Sequence, residues 1–146
     1  MKQDLHRGLF PHWTLERARY GDTDRQGHVN NARFATYLES GRVDLFHAPD
    51  VRAAVPEGTE FVIVRLTLDF LAEIHWRDEL AIGSGLAGLG RSSFTLHQAI
   101  FRGEKPVARA ESVLVLLDGA SRRAHPLPPE LRAALERYAL RETKLA

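Results

Sequence analysis

Between Gly21 and Asn31 the chain reads Gly-Asp-Thr-Asp-Arg-Gln-Gly-His-Val-Asn-Asn, its densest polar stretch, with two carboxylates and an imidazole just ahead of a helical pattern. A helix start exposes unpaired backbone N–H groups and a partial positive charge, which can hold an anion or an oxyanion developing in a transition state. A carboxylate beside it can position or activate water. The same residues suit a plainer task. Asp22 and Asp24 are turn formers that interact with the helix dipole without doing chemistry, and His28 can simply be hydrogen-bonded at the helix entrance.

The elements that must position this loop follow from periodicity. Trp13 to Tyr20 reads as a first strand ending where the loop begins. From Asn31 to His47, Phe34, Tyr37, Leu38, Gly41 and Leu45 recur every three or four residues, one stripe of a helix. Asn30 or Asn31 is its cap, because a short amide accepts from first-turn N–H groups. Gly41 lies on the buried stripe, where glycine costs roughly 1 kcal/mol relative to alanine, so another backbone is expected to approach there. Pro49 to Glu60 reads as a connector. Val62 to Phe70 alternates as a long half-buried strand, followed by strand-like runs at Glu79–Leu89, Ser92–Phe101 and Val107–Leu117. Arg102-Gly103-Glu104-Lys105 turns a hairpin between the last two, and Pro128-Pro129 opens a short terminal helix. Strand, helix and then four strands in sequence give an antiparallel α+β domain around one central helix.

Composition narrows the function. A chain of 146 residues with 44% apolar content is expected to form one domain, 1–146, with one core. It has no cysteine, which excludes a disulfide scaffold, a thiolate metal site and a cysteine nucleophile. The longest apolar runs, Phe61–Val64 and Val113–Leu117, fall far short of the roughly 18 residues of a membrane helix, and Met1–Trp13 lacks a signal-peptide core. A cytoplasmic protein without a membrane partner is expected. A net charge of +1 offers no general attraction for nucleic acid. The charge is nevertheless uneven: residues 1–90 hold 10 Lys/Arg against 13 Asp/Glu, and 91–146 hold 10 against 6. That basic half suits either a solvated face or a phosphorylated small molecule.

Other motifs lead away from cofactor chemistry. Gly83-Ser84-Gly85-Leu86-Ala87-Gly88 matches a dinucleotide-binding G-x-G-x-x-G by letter, but a strand follows it where a helix is required. No G-x-S-x-G elbow occurs. The seven histidines show none of the three-to-five-residue pairings typical of metal sites, so no metal is expected.

Asp22-Thr23-Asp24, then Gly27-His28-Val29-Asn30-Asn31, then Tyr37 and Glu39, resembles the hotdog-fold acyl-CoA thioesterases, and within them the 4-hydroxybenzoyl-CoA thioesterase-like branch. Gly90-Arg91-Ser92-Ser93 and the strand order extend the resemblance over residues 13–135. It implies an antiparallel sheet wrapped around a long central helix, a homodimer or homotetramer, and hydrolysis of an acyl-CoA to the acid and coenzyme A. Coenzyme A is then part of the substrate, and no cofactor is implied. The catalytic carboxylate falls on Asp24 rather than Asp22, and the oxyanion-binding amides fall near Asn31. Asp24 would act as general base or as nucleophile. His28 would orient it or protonate the leaving thiol. Glu39, about two helical turns beyond Asn31, stands where some hotdog enzymes carry their acid instead. Gly27, Asn30, Tyr37, Arg91, Ser92 and Ser93 are the implied substrate-binding residues, with Arg122 and Arg123 further candidates for coenzyme A phosphates. Plant acyl-carrier-protein thioesterases resemble the loop too, but Gln26 stands where they alternate Asp, Asn and His. The rival functions are a non-catalytic acyl-CoA binding or sensing module and a hotdog dehydratase, for which a histidine on the helix is expected.

Overall fold

Asn30 starts the long helix α1, Asn31–Phe46, by accepting the Ala32 N–H on its side chain at 2.9 Å. The buried face of α1 carries Phe34, Tyr37, Leu38, Gly41 and Leu45, the stripe that periodicity predicts. Five antiparallel strands curve over it: β1 (His12–Arg17), β2 (Thr59–Phe70), β3 (Glu79–Leu89), β4 (Ser93–Arg102) and β5 (Lys105–Asp118), in the spatial order β1-β3-β4-β5-β2. The structure, a computed structural model, describes residues 5–141, so the first residues of Met1–Trp13 lie outside it. This is the hotdog arrangement that the resemblance implies. Among the described residues no helix is long and apolar enough to cross a membrane.

Gly41 explains how closely helix and sheet meet. A Cβ built there would stand 2.7 Å from Cγ2 of Ile82 on β3 and 3.0 Å from Nε2 of Gln98 on β4. Because the side chain is absent, Gln98 reaches the Leu38 carbonyl of α1 at 3.0 Å and the Ser84 hydroxyl at 3.0 Å, so buried polar groups are satisfied across the interface. Around it Phe34, Tyr37 and Leu38 pack on Ile82, Ile100 and Ala108. Each large apolar side chain of this kind contributes about 1.5–3 kcal/mol when fully buried. The G-x-G-x-x-G letters lie inside β3, where Gly83 makes room for the Phe10 ring, so the run is a packing device.

Three elements differ from expectation. The first strand stops at Arg17, because residues Tyr20–Asp22 form a 3₁₀ turn in which the Asp22 carboxylate accepts the Arg19 N–H at 3.4 Å. The connector contains a helix, α2 (Pro49–Ala54), with proline at its first position. Strand β2 is an edge strand with a register shift between Ile63 and Arg65, and Val64 (59%) and Phe70 (49%) are exposed rather than half-buried. The terminal helix, α3 (Pro129–Glu136), opens at the proline pair.

Candidate active site

The polar loop folds as a tight turn closed by its own backbone. Thr23 and Val29 form an isolated antiparallel bridge, the Asp24 N–H donates to the His28 carbonyl at 2.8 Å, and the Gly27 N–H donates to the Asp24 carbonyl at 3.1 Å. Gly27 has φ +82°, a left-handed conformation that strains other L residues. The Asp24 side chain braces the turn: Oδ1 accepts from the Gln26 N–H at 2.9 Å and the His28 N–H at 3.3 Å. Its Oδ2 has no protein partner among the described residues.

Asp24 lines an open cleft of about 520 Å³ together with the polar Gln26, His28, Asn30, Asn31 and Glu73 and the apolar Phe34, Phe70 and Leu71. Of the first amides of α1, Ala32 N–H is taken by Asn30 Oδ1 and Arg33 N–H by the Asn30 carbonyl at 2.8 Å. The Asn31 N–H has no acceptor among the described residues. Asp24 and the helix-start residue Asn31 therefore line one cleft, and a carboxylate and an unpaired amide are groups that can serve as base and oxyanion donor.

Asp22 does different work. It is half-buried, accepts the Tyr37 hydroxyl at 2.6 Å, and lies 3.7 Å from the Arg33 guanidinium. Burial, reinforced by the hydrogen bond to Asp22, pushes the Tyr37 phenol well above its ordinary value of 10.0. Tyr37 is only 4% exposed and belongs to the core rather than the cleft wall.

Glu39 faces a different groove, of about 390 Å³, between α1 and the outer edge of β2, beside Arg42, Ile63 and Leu66. Burial lowers the Arg42 guanidinium from its ordinary value, and the Glu39 charge partly opposes that shift. Arg91, Ser92 and Ser93 lie at the far end of the sheet. Ser93 pairs with Val115, which pairs with Val62, whereas the cleft begins at Phe70. Eight strand residues, about 26 Å along β2, separate those levels within one chain. Arg122 is paired with Glu60 at 2.7 Å.

Sequence reasoning passed over two residues: Glu73, which lines the cleft, and His75 beside it. Glu73 Oε2 lies 3.1 Å from His28 Nε2, and His75, one strand-face position further, lies 3.7 Å from the same oxygen. His28 and His75 stand 47 residues apart, so a search for closely spaced histidines misses them. The readable signal was Glu73-x-His75, whose alternation puts both side chains on one face of extended backbone.

Residues 18–135 match the thioesterase-like superfamily model. The chain belongs to that superfamily, and it is a thioester hydrolase. It is 26% identical over 120 residues to the acyl-CoA thioester hydrolase YbgC of Escherichia coli, covering 80% of this chain and 90% of the relative. Two solved structures share the fold and more of the sequence. The probable thioesterase YbaW from Escherichia coli superposes with TM-score 0.78 at 30% identity, over 88% of this chain and 98% of that one. A thioesterase from Thermus thermophilus, solved with coenzyme A and Zn, gives TM-score 0.76 at 33% identity, over 88% and 94%.

Proposed function

We propose that the protein hydrolyses acyl-CoA thioesters to the free acid and coenzyme A, with Asp24 as the reacting carboxylate and the Asn31 amide as oxyanion donor. One observation carries this reading: Asp24 and Asn31, whose Oδ2 and N–H have no protein partner among the described residues, line the same cleft. The acyl-CoA relative and the coenzyme A-bound Thermus structure support the substrate class.

Thioester hydrolysis asks little of a protein, because a thiolate leaves readily once the tetrahedral intermediate forms. Oδ1 is anchored by two amides, so Oδ2 is the atom that reacts. It takes a proton from the attacking water, or itself attacks the carbonyl carbon to give a mixed anhydride that water opens. In both routes the carbonyl oxygen becomes an oxyanion that the Asn31 N–H meets, and the thiolate leaves and is protonated. The apolar wall at Phe34, Phe70 and Leu71 receives the acyl group.

The Arg91–Ser93 turn enters this scheme through a second copy. Antiparallel pairing of β2 with itself about its midpoint sets Val62 of one copy opposite Thr67 of the other. Along the strand direction the gap between the Ser93 level and Phe70 then shrinks from about 26 Å to about 10 Å. A homodimer built on β2 is thus part of the proposal.

Thiol release from short, long and aromatic acyl-CoAs by the wild-type protein and Asp24→Asn tests the reading. Asparagine keeps an acceptor for the Gln26 and His28 amides but loses the charge, so kcat should fall about 10²–10⁴-fold with the fold retained. Unchanged turnover would remove Asp24 from the reaction. Tight acyl-CoA binding by wild type with no thiol released would instead favour a binding module.

A further inference from the structure

His28, Glu73 and His75 form the only His/Cys/Asp/Glu cluster among the described residues with metal-ligand spacing, each offering a ligand atom within 4.8 Å of the other two. We propose that this triad, two of whose members line the Asp24 cleft, binds a divalent transition-metal ion. Two imidazoles and one carboxylate are the donor set that suits ions of borderline softness such as zinc, and they are not the all-oxygen set that calcium or magnesium requires.

The geometry is close to what such an ion needs. Ligands about 2.0–2.1 Å from a tetrahedral centre stand about 3.3 Å from one another. Here Glu73 Oε2 lies 3.1 Å from His28 Nε2 and 3.7 Å from His75 Nε2, and the two rings stand edge to face with centroids 5.1 Å apart. Small rotations of exposed side chains close the remaining distance. Glu73 is 62% exposed, His75 51% and His28 32%, so the ion has a path in.

Backbone fixes the triad before any ion arrives. His28 and His75 face each other across an isolated antiparallel bridge, and the adjacent Val29 N–H donates to the Ile74 carbonyl at 2.7 Å. Arg102 holds the Glu73 carbonyl at 2.8 Å, while the His75 N–H donates to the Asp78 carboxylate at 2.8 Å. Preorganisation of this kind lowers the ordering cost of binding. Another His–carboxylate pair, His12 with Asp44 at 3.2 Å, has no third ligand among the described residues and serves as an internal comparison.

Three protein ligands leave a coordination position for water or for a ligand oxygen, as in open rather than closed zinc sites. His28 and Glu73 both line the cleft, so a divalent ion held by the carboxylate and two neutral imidazoles would turn a negative group there into a net positive one. Metal binding by the triad does not depend on whether Asp24 hydrolyses a thioester.

Isothermal titration of the untagged, chelator-treated chain with zinc tests it. One ion per chain should bind with micromolar or tighter affinity, and the melting temperature should rise with zinc concentration. Glu73→Gln and His75→Ala should each weaken binding about tenfold or more, while His12→Ala and the hydrolysis-defective Asp24→Asn should titrate like wild type. Cobalt should give a visible absorption spectrum that Glu73→Gln alters. Glu73 is exposed, so Glu73→Gln keeps its fold and the test stands even where His75→Ala loses stability. Binding below one equivalent, or equal binding by wild type and Glu73→Gln, overturns the proposal.

Discussion

Asp22 and Asp24 sit two residues apart and are told apart by what they touch. Asp22 holds Tyr37 and neighbours Arg33, so it fastens the loop to α1, while Asp24 lines the cleft with one oxygen free of protein partners among the described residues. Tyr37→Phe should therefore act on stability. Losing a hydrogen bond to a charged acceptor costs about 1.5–3 kcal/mol, to be read by urea unfolding, with KM unchanged. A raised KM at unchanged stability would return Tyr37 to the substrate. The sign with pH follows from the raised phenol: the folded-state value exceeds 10.0, so the bond's stabilisation is fully present below that pH and is lost as pH rises above it. The wild-type advantage over Tyr37→Phe should be flat between about pH 6 and 9 and shrink above about 10. Asp24, Asn30 and Asn31 were legible in the sequence because they lie within one short loop and its helix start. Glu73 and His75 were not, because they meet His28 only through a bridge between segments 45 or more residues apart.

At the level of elements, α1 was readable from its apolar stripe and Gly41 signalled a close neighbour, but that neighbour is the side chains of Ile82, Gln98 and Ser84 rather than the backbone expected. Gly41→Ala sets two effects against each other. Alanine favours helix by roughly 1 kcal/mol, but its methyl would press on the fully buried Ile82 and on Gln98, whose amide is already bonded twice. Overpacking of this sort costs about 1–3 kcal/mol and should win, lowering the melting temperature by a few degrees. A higher melting temperature would mean that the helix and sheet part easily at this point. Helix α2 escaped sequence reading because six residues are too few to show a period, although Pro49 marked its start. For β2 the alternation was real but ambiguous: a period of two says that a strand has two faces, and says nothing of whether its edge has a neighbour.

On the scale of the whole molecule, β2 leaves its outer edge without a neighbouring strand over twelve residues, with Ile63, Val64, Leu66 and Phe70 exposed between 38% and 59%. Edges that remain bare are commonly short or guarded by lysine, proline or inward charge; this one is long, with Arg65 its only basic residue. A net charge of +1 adds little repulsion between copies. We propose a second copy as the occupant, because it would also bring near the cleft the Arg91–Ser93 turn that one chain holds far from its own. Light scattering should therefore give a mass of at least twice 16.4 kDa. The double substitution Val64→Lys with Leu66→Lys puts two ammonium groups on positions that one chain already exposes, so the monomer should keep its circular dichroism while the mass falls to 16.4 kDa. Thiol release should collapse in the same variant, because Asp24 and Asn31 remain but the neighbouring turn is lost. A wild-type protein that runs at 16.4 kDa with full activity would show that one chain suffices and that the basic turn at Arg91 serves something other than the substrate.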